Sequence, residues 1–87
     1  MTLNEKQLKA LQLVDPDSRG AYERLREYDA QLAQLRDNRD VANDYVEDTL
    51  SLDQVILKIS ENRDDAAYRL NWACKKANLN LHFDYVS

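Results

Sequence analysis

A single glycine and a single proline among 87 residues leave almost nothing from which to build tight β-turns or a phosphate-cradling glycine loop. One cysteine, Cys74, excludes an internal disulfide, and one histidine, His82, leaves the usual metal and nucleophile constellations without members. No apolar run is long enough for a signal peptide or a membrane span, so a cytoplasmic setting is expected and a membrane partner is not. Cations are also short: 12 Lys and Arg against 16 Asp and Glu give a net charge of -4. Direct nucleic-acid binding needs clustered cations that displace counterions from phosphate, and that composition argues against it. A protein with a basic surface fits better as a partner.

What remains is the composition of long helices joined by short connections, with 44% hydrophobic and 32% charged residues. The expected fold is all-α: three helices in one domain, dominated by a long antiparallel hairpin, followed by a short extended tail. At 87 residues a single core gives marginal stability, and self-association often supplies the remainder, so a homodimer is in play.

The stretch 51–78 organises the rest. At 100° per residue Leu52, Ile56, Ile59, Ala66, Leu70, Ala73 and Ala77 form one stripe, with Cys74 at its edge. Tyr68, Trp72 and Leu79, with Leu57 at the far end, form a second stripe on the opposite side. A helix with two apolar faces calls for two neighbours. Ser51 with Gln54 makes a capping box and Leu50 with Val55 a hydrophobic staple, so a helix over about 52–78 is expected. Ser60 and Asn62 leave room for a second start near Glu61.

Upstream, Thr2 with Glu5 fits a capping box for a helix over about 3–14. Its apolar residues, Leu3, Leu8, Ala10, Leu11, Leu13 and Val14, spread over a broad arc, so it is expected to dock, with the Tyr68 and Trp72 stripe as its seat. Asp15 and Pro16 read as an N-cap and first position of a helix over about 16–48. Ala21, Leu25, Tyr28, Leu32, Leu35, Ala42 and Val46 lie on its inner stripe, and Asn38, which could cap a fresh helix in a run without core residues, leaves room for a break or kink there. Matching bulk against alanine across the hairpin sets Leu35 opposite Ala66 and Ala67, Leu32 opposite Leu70, Tyr28 opposite Ala73 and Cys74, Leu25 opposite Ala77, and Ala42 opposite Ile59. Arg39 and Arg63 then share a layer and are expected to snorkel or to share carboxylates, Asp40 and Asp64 being the nearest.

Lys75 and Lys76 suit the carbonyl end of the long helix, and Asn78 or Asn80 supplies a left-handed stop. From Leu79 the period changes to alternation, through Leu81, Phe83 and Tyr85. With no strand partner in the chain, the tail is expected to lie over the helices with Leu81 and Phe83 in grooves; the sharper alternative is pairing with a second copy or a partner's sheet edge.

No enzyme emerges. Cys74 on the packed stripe reads as a small buried hydrophobe, and His82 with Asp84 is too few ligands for a metal site; no cofactor is implied. The strongest functional signal is acid: Asp40, Asp44, Glu47, Asp48 and Asp53 are uninterrupted by Lys or Arg from 40 to 53. Like charges four apart cost about 0.2 to 0.5 kcal/mol per pair, and Glu47 and Asp48 sit on the wrong side of the helix dipole, so folding alone does not ask for them. Asp37, Asp40, Val41, Asp44, Tyr45, Glu47 and Asp48 therefore form the candidate protein-binding face, a tyrosine and a valine inside an acidic rim. The expected role is that of a non-enzymatic interaction module, an inhibitor or regulator occupying a basic, nucleic-acid-handling surface of its partner. The alternative is a structural homodimer or assembly adaptor that uses Tyr68, Trp72, Leu79, Leu81 and Phe83 as a docking face. An aromatic stripe at helical spacing is more often core, which would place Tyr68 and Trp72 under another helix. Composition alone sets the chain beside small acidic inhibitors, antitoxins and adaptors of phage and mobile elements, a class expectation without a motif.

Overall fold

The computed structural model describes residues 2–37 and 52–86. Three helices carry the regular structure of these residues: α1 (Glu5–Val14), α2 (Ser18–Asp37) and α3 (Leu52–Lys76). The all-α hairpin is as expected, with α2 and α3 packed along each other and α1 laid against both. The reading that α2 continues to 48 with a kink near 38, and the cap at Ser51, fall outside the described residues.

The start of α1 corrects the sequence reading by two residues. Two capping boxes overlap there, Thr2 with Glu5 and Asn4 with Gln7, and the second is formed. The Asn4 carboxamide accepts the Gln7 amide at 2.8 Å, and the Gln7 side chain accepts the Asn4 amide at 2.9 Å. Asn is at least as good a cap as Thr, and starting here sets Leu3 and Leu8 at the two staple positions, both buried in the core.

The junction to α2 falls where Asp15 and Pro16 suggested, but Asp15 closes α1 and residues 16–17 form a turn, so the regular helix starts at Ser18, two residues later than expected. The Asp15 carboxylate accepts the Asp17 amide at 3.1 Å. Buried Ser18 donates its hydroxyl to the Leu11 carbonyl at 3.2 Å, locking the corner.

α3 runs unbroken through Ser60, which is buried, so the second start near Glu61 is not used. At its end the Asn78 amide bonds the Lys75 carbonyl at 3.3 Å and the Leu79 amide bonds the Cys74 carbonyl at 2.9 Å. With Asn78 at φ 58° this is a Schellman stop, in a conformation that asparagine tolerates better than most residues.

The core joins Leu3, Leu8 and Leu11 of the α1 region, Ala21, Tyr22 and Leu25 of α2, Ala66, Ala67, Leu70, Ala73 and Cys74 of α3, and Phe83 of the tail. Thus α1 sits in the groove between α2 and α3, on the main stripe of α3 and not on its aromatic one. That corrects the expected seat, and it leaves Leu13, on the far side of α1, 90% exposed.

The hairpin register is also corrected. Arg63 bonds Asp29 at 2.8 Å, ten residues before the Arg39 level that bulk matching implied. Tyr28 accordingly lines a cleft with Asn62, Asp65 and Ala66, well away from the predicted Ala73 and Cys74 level. Bulk against alanine repeats every turn, so sliding one helix by about three turns preserves the steric fit. Ion pairs do not repeat in this way, and Arg63 with Asp29 and Arg69 with Asp15 are specific to the observed register.

Candidate functional site

Of the seven residues of the acidic candidate face, Asp37 is the last described residue of α2, and Asp40, Val41, Asp44, Tyr45, Glu47 and Asp48 fall outside the described residues, as does Arg39. Their placement in the charge pattern is nonetheless definite. Residues 37–53 hold six of the chain's 16 acids and one of its 12 bases, so the rest of the chain, with ten acids and eleven bases, is close to neutral.

Outside that stretch many acids are paired in ways that hold the fold. Glu5 meets Arg19 through two bonds of 2.8 Å, and the guanidinium draws the Glu5 carboxyl below its ordinary range. Asp15 receives Arg69 at 2.6 and 2.9 Å, a two-point contact that lowers the Asp15 carboxyl and raises the guanidinium. Asp17 lies 3.1 Å from both Arg24 and Arg69, extending the network across the α1–α2 corner.

Among the described residues Arg63 is the most enclosed cation, with a side chain 9% exposed. It spans three parts of the fold: Asp29 on α2, Asp64 beside it on α3 at 3.5 Å, and the Asp84 carbonyl in the tail. Sharing with Asp64 was expected, whereas Asp29 takes the part assigned to Asp40 because of the register.

The five residues expected to form one docking face are divided by the fold. Phe83 is 3% exposed, its ring 6.3 Å from that of Tyr22, and Leu79 and Leu81 pack against the core. The tail is held there by Asn71, whose carboxamide donates to the Phe83 carbonyl at 2.9 Å and accepts the Phe83 amide at 2.7 Å. The Val86 amide adds a bond to Asp64 at 2.9 Å. This is the groove-filling arrangement. One side-chain amide supplies to the tail backbone what a neighbouring strand would otherwise give.

Tyr68 and Trp72 remain outside, 67% and 47% exposed, which corrects the expectation that they belong to the core. With α1 committed to the α2–α3 groove, no described element covers them. Beside them is an open cleft of ≈ 480 Å³ lined by Val14, Asp15, Tyr68, Arg69 and Trp72. The Lys76 ammonium stands 5.8 Å over the Trp72 ring, within reach of a cation–π contact.

Tyr22 lies off the inner stripe of α2 that the sequence pattern defines. It is buried, its ring carries Arg26 at 5.7 Å, and its hydroxyl accepts the Leu3 amide at 3.0 Å. Ser18, Tyr22, Leu25, Asp29 and Leu32 follow a second heptad-like spacing beside the first, the signal that α2 has more than one neighbour.

For chemistry, Cys74 is fully buried and burial pushes its thiol up, away from a reactive thiolate. His82 is exposed in the tail, 3.9 Å from Asp84. Among the described residues no three His, Cys, Asp or Glu side chains gather where they would hold a metal, and no helix is long and apolar enough to cross a membrane. Comparison of the chain with protein-family models, with curated proteins and with solved structures gives no match.

Proposed function

We propose that the protein is a non-enzymatic interaction module that uses its acidic segment, Asp37, Asp40, Val41, Asp44, Tyr45, Glu47 and Asp48, to engage a basic surface of another protein in the cytoplasm. The observation that carries this reading is the segregation of charge: the net charge of the whole chain resides in residues 37–53. Such a segment steers association with a cationic surface and competes with polyanions for it, which is the basis for inhibition of a nucleic-acid-handling partner. Replacing Asp44→Lys and Asp48→Lys in the full chain tests it. A partner captured by the wild-type protein from its native host should associate with the variant at least tenfold more slowly, with the salt dependence of the rate largely gone. Undiminished association by a variant of native helicity would end this reading.

A second reading, a homodimeric adaptor, is favoured by a different observation. Tyr68 and Trp72 are large, neighbouring and uncovered on a folded chain, and exposed aromatic residues of this kind concentrate at protein interfaces.

A further inference from the structure

The outer face of α3 carries its own complement. At 100° per residue Glu61, Asp65, Tyr68, Trp72, Lys75 and Lys76 fall within an arc of about 100° turned away from the buried Ala66, Leu70 and Ala73. All six are exposed. Along the helix the order is acid, aromatic, base: Glu61 and Asp65 lead, Tyr68 and Trp72 follow, and Lys75 and Lys76 close the last turn. Lys58, a turn before Glu61, lies at the margin of the arc.

That order decides both the occupant and its direction. We propose that this face pairs with the same face of a second copy, the two α3 helices running antiparallel about a two-fold axis near Tyr68 and Trp72. The proposal rests on the homodimer reading above and names its surface. Antiparallel pairing sets the lysines of each copy against Glu61 and Asp65 of the other, with the four aromatic rings between them. Parallel pairing would set lysine on lysine and acid on acid. An interface with an aromatic centre and a charged, complementary rim is what specific contacts use, and a two-fold needs one self-complementary patch. The tail flanks this face at Asn71 and Asp64, and the end of α1 flanks it through Val14 and through Asp15 with Arg69, while Tyr68 and Trp72 stay exposed between them.

The face is small. From Glu61 to Lys76 a helix extends about 25 Å, and with a width of about 12 Å it offers far less than the roughly 800 Å² per partner of a standard interface. The pair is therefore weak, concentration-dependent and weakened by salt.

Sedimentation of the full chain from about 10 µM to about 1 mM tests this at low salt, since a dimer of millimolar to micromolar strength is populated over that range. The mass should rise toward twice the monomer, with emission of Trp72, the sole tryptophan, moving to shorter wavelength in step. Lys75→Glu with Lys76→Glu, and separately Glu61→Lys with Asp65→Lys, should each leave a monomer of unchanged helicity. Mixing the two variants, or combining all four changes in one chain, should restore association. A wild-type protein that stays monomeric throughout would overturn both this proposal and the homodimer reading. A dimer that forms without any change at Trp72, or that both charge reversals leave intact, would overturn the α3 pairing alone and move the homodimer to another surface.

Discussion

Arg69 reaches back 54 residues to hold Asp15 through two parallel hydrogen bonds, 2.6 Å from Nε and 2.9 Å from Nη2. The pair ties the α1–α2 corner to α3, and Asp15 also caps the turn that follows it. Replacing Asp15→Asn keeps a capping oxygen but loses the charge, so part of the stability should survive; Asp15→Ala should lose both. The midpoint of urea unfolding should fall in the order wild type, Asn, Ala. The exposed Glu5 and Arg19 pair should matter less, because solvent screens it.

The same contact fixes the behaviour in acid. The Asp15 carboxyl is held below its ordinary value near 3.8, chiefly by the bonds from Arg69. A carboxylate with a depressed folded-state pKa contributes stability that is fully present above its unfolded value and is lost as pH falls through the folded one. Unfolding midpoints of the wild type should thus be steady above about pH 5 and decline below about pH 4. In Asp15→Asn that decline should be shallower, with the Glu5 contribution still present. A variant with the full wild-type acid dependence would count against the assignment.

Leu11 is fully buried at the meeting point of all three helices. Leu11→Ala should cost about 2 to 5 kcal/mol, a large part of the about 5 to 15 kcal/mol typical of a domain. Leu13→Ala, two residues along and 90% exposed, should change urea stability by less than about 0.5 kcal/mol. A comparable loss from both would mean that α1 is seated on its other face.

Asn71 is the only side chain that both donates to and accepts from the tail backbone among the described residues. Asn71→Ala should remove both bonds at a cost of about 1 to 3 kcal/mol and expose the chain after Asn78 to proteolysis. Hydrogen exchange at the Phe83 amide should accelerate more than at the Leu70 amide. Equal acceleration at the two sites would show global destabilisation in place of tail release.

The hairpin register can be checked by a double-mutant cycle on Asp29 and Arg63. Their coupling should be about 1 kcal/mol or more, because Arg63 is enclosed while Asp29 is half open. Coupling near zero would indicate that the two helices slide.

Several features were legible because they depend on neighbours in sequence. The α2 and α3 stripes, the Asp15 corner, the asparagine stop at 78 and the alternating tail each follow from local geometry over a few residues. The acidic character of residues 37–53 is likewise a matter of sequence. The start of α1 was ambiguous because two capping boxes overlapped by two residues, and burial of Leu3 separates them.

Chain order by itself determined that this protein is helical, where two of its helices end and where its negative charge collects. Tertiary structure decided the register of the hairpin, the burial of Tyr22 and the exposure of Tyr68 and Trp72. The physical reason is degeneracy. Helical periodicity repeats every turn, so many slides and seats satisfy it equally. Contacts between residues far apart in sequence, Arg63 with Asp29 and Arg69 with Asp15, occur together in only one of them.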